Sequence, residues 1–313
     1  MAPKASATSA TGSMADIRFD DSLDEDQRRC VEQSIAGLRE RSRERIASRR
    51  AAQAESSKPA REANAKLVKY LEEHPDAALM FQAMRGRSLL AEDGQADAEP
   101  VLGRPTLSPV LMDVEVRENL KLFGTPFHYD WKWSDSDGGN FPRMSVSRET
   151  AVAKIDVGIR QIEGDSTWIT AHAGVGVAIR VDKQVGAIGR AYRTTSEYGK
   201  VTQHGFDADA TSEGGTELTV FEDGRFVTSA TDKRWRIRVA GDTPNTSHSS
   251  EGFAVGELME VTWVMRPGRT YTFNLGAWVY AEAHDGFDLF GLIRESTAVS
   301  SIDSRLLLLS LFT

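Results

Sequence analysis

The chain reads as a mainly β protein, an antiparallel β-sandwich of jelly-roll-like or similar type preceded by an α-helical N-terminal arm. Three observations predict this. All six tryptophans lie beyond residue 130, so the bulk that fills a core is concentrated in the second part of the chain. The hydrophobic period shortens from helix-like to two after Leu111. The period-two runs follow one another through short turns with no helical crossover between them, which points to antiparallel strands in two packed sheets.

Residues 1–21 read as a disordered tail, with too few apolar groups to offset the entropy of ordering. They lack the apolar region of a Sec signal, so the expected location is cytoplasmic, with export by another route left open. Residues 22–98 read as the helical arm. Ser22 and Glu25 have capping-box spacing. Val31, Ile35, Leu38 and Ile46 then recur at helical spacing as a narrow stripe, broken by Ser42. Such a stripe packs on a partner helix, a neighbouring subunit or its own β-domain, which makes Val31, Ile35 and Leu38 candidate interface residues. Pro59 should end this helix, with further helical stretches over 63–73 and 76–85. The Pro-containing stretch 99–111 reads as a linker.

Residues 112–313 read as the sandwich. Phe127, Tyr129, Trp131 and Trp133 alternate with polar neighbours as one strand. The runs Ala151–Ile159 and Ile169–Val181 are expected to form a hairpin, and so are Met259–Met265 and Tyr271–Val279 around Arg266-Pro267-Gly268-Arg269. Asp223-Gly224 marks a turn between Leu218–Phe221 and Arg225–Thr228. The apolar C-terminal run from Ser304 is too short to cross a bilayer and lacks alternation, so a central strand is expected there.

Composition narrows the function. A single cysteine, Cys30, excludes a disulfide scaffold and a clustered thiolate metal site. No apolar run is long enough for a membrane-spanning helix. The net charge of −8 argues against a whole-surface nucleic-acid binder, and Glu40 and Glu44 dilute the Arg-rich helix 39–50. Nucleic acid is therefore not an expected partner. The chain has no GxSxG, no phosphate-cradling GxxxxGK and no paired histidines, so no catalytic residue is expected. His128 and His172 fall on the polar sides of their strands.

Four features remain as binding candidates. Asp135, Asp137 and Asn140 in a Gly-containing loop offer several oxygens to one hard cation; no cofactor is expected, and calcium here is the one metal considered, against a plain solvated turn. Trp131 and Trp133 could form a sugar-stacking platform, although four aromatics in register more often fill a core. Trp278 and Tyr280 put apolar bulk on the polar face of their strand, as a contact surface for a ligand or another subunit would. Arg234, Arg236 and Arg238 form a basic stripe, suited to phosphate, sulfated sugar or an acidic partner, or else to pairing with acidic neighbours at a sheet edge. The leading expectation is a non-enzymatic structural or interaction protein, assembling with itself or a protein partner through arm and sandwich. The alternative is a carbohydrate-binding sandwich module, calcium-assisted.

Overall fold

The computed structural model describes residues 15–80, 120–138, 142–161, 166–204, 208–240, 246–284 and 295–312. The chain falls into two compact units, Met1–Glu44 with Glu115–Thr313, and Arg45–Val114. The elements are β1 (Asp16–Phe19), α1 (Glu25–Glu73), β2 (Leu120–Phe123), β3 (Tyr129–Ser136), β4 (Arg143–Ser147), β5 (Val152–Gln161), β6 (Thr167–Arg180), β7 (Val185–His204), β8 (Asp209–Glu222), β9 (Arg225–Ala240), β10 (Thr246–Met265), β11 (Thr270–His284) and β12 (Glu295–Phe312). The protein is mainly β, with antiparallel sheets and an N-terminal helix.

Two sheets face each other. Sheet A runs β1-β3-β6-β11-β8-β9, and sheet B runs β10-β7-β12-β5-β4, with β2 on the last residues of β12. Each strand sends alternate side chains inward, so apolar positions two apart converge between the sheets. Ala171, Val175 and Val177 of β6 and Phe273, Leu275 and Val279 of β11 share one core with Ile155, Val157 and Ile159 of β5 and Ile302, Leu309 and Leu311 of β12. β12 lies between β7 and β5, the central position expected from its apolar run. The β8–β9 connection is a hairpin closed by Asp223 and Gly224, both at positive φ (47° and 76°), which matches the right-handed twist of the strands it joins.

The other two expected hairpins are not formed. β5 pairs with β4 and β12 in sheet B, while β6 pairs with β3 and β11 in sheet A. β10 pairs with β7 in sheet B, and β11 with β6 and β8 in sheet A. Both connections cross from one sheet to the other. Alternation shows that one face of a strand is buried, but not which strand lies beside it. A four-residue connection such as 266–269 reaches about 13 Å, enough to bridge facing sheets about 10 Å apart.

The N-terminal region also differs from expectation. Residues 16–19, assigned to the tail, form β1 on the edge of sheet A, where Ile17 and Phe19 pack on the cluster under α1. The helix is capped two residues later than expected. Asp24 Oδ1 accepts from the Gln27 amide at 2.8 Å, and Gln27 Oε1 accepts from the Asp24 amide at 3.1 Å. α1 continues through position 59 to Glu73. An interior proline costs a helix about 3 kcal/mol without obliging it to end.

As far as Glu44, α1 belongs to the sandwich unit rather than to a separate arm. Val31, Ile35 and Leu38 are buried in one cluster with Tyr129, Trp131, Trp133, Ala178 and Phe221 of sheet A. Of the three partners expected for the apolar stripe, the chain's own β-domain is the one it packs against. In the second unit Ile46, Leu71 and Ala78 are buried, while Tyr70, Leu79 and Met80 are exposed. Among the described residues no helix is long and apolar enough to cross a membrane. The expected linker, 99–111, lies outside the described residues.

Candidate functional site

Among the described residues, a group of chemistry-bearing side chains lies between α1 and the outer face of sheet A. Its floor is aromatic. Tyr129, Trp131 and Trp133 of β3 stand directly opposite Gly176, Gly174 and His172 of β6. The glycines let the rings lie flat across the neighbouring strands. A Cβ at position 176 would come within 2.3 Å of the Tyr129 ring, and one at 276 within 2.8 Å of Trp131.

Polar groups thread this floor. The Tyr129 hydroxyl donates to Asn274 Oδ1 at 2.7 Å, and Asn274 Nδ2 donates to Ser34 Oγ of α1 at 3.4 Å and to Thr219 Oγ1 at 3.3 Å. Burial pushes the Tyr129 phenol well above its ordinary pKa, so it stays a neutral donor. About two helical turns farther on, Ser42 Oγ lies 3.2 Å from His172 Nε2, and His172 Nδ1 lies 3.2 Å from Glu217 Oε1. An ionised Glu217 only accepts and so pairs with the tautomer of His172 that carries its proton on Nδ1. The His172 ring stacks on Trp133 at 4.0 Å between centroids, with Trp278 on the ring system at 6.5 Å. Serine, histidine and carboxylate stand in the order of a nucleophilic relay. Yet Ser42, His172 and Glu217 are 3%, 1% and 2% exposed, closed between helix and sheet. The serine that breaks the helical stripe thus meets the histidine on the polar side of its strand.

A salt bridge completes the seam. Arg39 and Arg43, one turn apart on α1, both grip the fully buried Asp135 carboxylate, at 2.5 and 3.0 Å at their closest. Burial pushes this carboxyl up, but the hydrogen bonds and charges of the two guanidiniums outweigh it and hold it below the usual carboxylate range. Asp137 Oδ1 accepts from the Trp168 amide at 2.7 Å and from Thr167 Oγ1 at 3.2 Å. Two of the three residues considered for calcium therefore accept from protein donors, and the third, Asn140, lies outside the described residues.

The remaining predicted residues fall elsewhere. Trp131 and Trp133 form the floor beneath α1 and are fully buried. Trp278 and Tyr280 share that outer face but are also buried, and the Tyr280 hydroxyl donates to Glu282 at 2.9 Å. Arg234, Arg236 and Arg238 lie on β9, the edge strand of sheet A. Arg234 pairs with Glu197 at 2.9 Å, Arg236 with Glu213 at 3.6 Å, and Arg238 with Asp209 at 3.0 Å. Arg193 joins this edge through Asp232 at 3.0 Å, so charge pairs close the margin between β9 and β7. The stripe takes the pairing role weighed for it in the sequence. The Cys30 thiol is pushed up by burial and by the nearby Asp223 charge, which disfavours the nucleophilic thiolate.

Inside the sandwich a cavity of about 20 Å³ lies against Arg193, Glu217, Met259 and Leu306, room for a single water-sized guest. Sequence reasoning missed Arg39, Arg43 and Glu217 as members of one cluster. The mixed-sign run 39–45 looked like a solvated face, and nothing in it shows that the buried Asp135 waits opposite.

No family model matches the chain, and no curated protein matches it. Among solved structures, the enzymatically active domain of tailspike protein 4 from bacteriophage CBA120 aligns at 9% identity with a TM-score of 0.16, over 60% of this chain and 19% of that one. A chain of infectious bursal disease virus, Gx strain, aligns at 9% identity with a TM-score of 0.11, over 67% of this chain and 46% of that one. The chain spans less than half the length of either, and likeness this slight carries no argument about fold or function.

Proposed function

We propose that this chain is a non-enzymatic structural or interaction protein that assembles with itself or with a protein partner through its helix-bearing sandwich. One observation carries the reading: Ser42, His172, Glu217, Asp135, Arg39 and Arg43 are spent on fastening α1 to sheet A. Each of the three relay residues is almost wholly covered, so the serine hydroxyl faces its histidine and no substrate. Buried polar networks of this kind rigidify and specify one packing. A helix so fastened is a fixed part of a building block rather than a loose tether. The carbohydrate reading loses its platform, since Trp131 and Trp133 lie beneath the helix.

The reading predicts that the full chain sediments as a particle of more than one copy, or is retained on a protein partner in a defined ratio. It also predicts that a fluorophosphonate probe leaves Ser42 unlabelled. Stoichiometric labelling at Ser42, or ester hydrolysis abolished by Ser42→Ala, would replace this reading with a hydrolase.

A further inference from the structure

We draw no further inference here: the strongest candidate, the cavity of about 20 Å³ between the two sheets beside Arg193 and Ser304, has room for one water-sized guest, and its lining shows nothing that selects a ligand over an ordered water.

Discussion

At the scale of single residues, the seam between helix and sheet depends on absences as much as on side chains. Gly176 is empty space that the Tyr129 ring fills. Gly176→Ala should lower stability by about 1–3 kcal/mol, the usual penalty of overpacking, read as a shift in denaturant midpoint at unchanged slope. Asp135 makes the opposite kind of contribution. Its carboxyl is held below the ordinary range in the folded chain, so its stabilising effect is fully present above the ordinary carboxylate pKa. The effect drains away as pH falls through the lower folded value. Asp135→Asn should cost about 1–3 kcal/mol near neutral pH, less than a fully buried pair because the Arg43 side chain is 41% exposed. The variant's stability should also be flatter against pH on the acid limb; an acid limb identical to the parent's would remove Asp135 from the seam. Part of this site was legible in the sequence. Ser42 interrupting an apolar stripe was visible as an anomaly, and His172 on the polar face of its strand was visible as a position. What joins them is strand register, and register is set by partners distant in sequence.

At the scale of elements, periodicity identified strands well and pairing poorly. The Asp223-Gly224 hairpin was readable because its turn chemistry is local, with positive φ at both central residues. The crossings from β5 to β6 and from β10 to β11 were not, because a run with one buried face looks the same whether its successor lies beside it or across the core. The partner of the helical stripe was left open for a related reason. The stripe predicted a packed helix, yet the surface it packs on is built from β3, β6 and β8, more than eighty residues away. α1 consequently cannot be removed cleanly. A chain lacking residues 1–44 should expose Trp131 and Trp133, shift tryptophan emission to the red and bind an apolar dye. A truncated chain that kept the parent's melting temperature and emission would contradict this packing.

At the scale of the whole molecule, the sandwich unit buries a polar network beneath α1 and leaves Leu258 and Val264 exposed on sheet B. Sheet A carries α1 over β3, β6 and β8 and charge pairs along β9, whereas the outer face of sheet B exposes Leu258 and Val264. A building block for assembly requires that α1 up to Glu44 be as firmly part of the fold as the strands beneath it. Hydrogen–deuterium exchange of the full chain measures this directly, since amides released only by global unfolding exchange together. The amides of residues 29–44 should exchange as slowly as those of β6 and β11 and lose protection at the same denaturant concentration. Exchange of that helical segment orders of magnitude faster than the two strands would mean that the seam opens on its own, and that Ser42, His172 and Glu217 are not held closed.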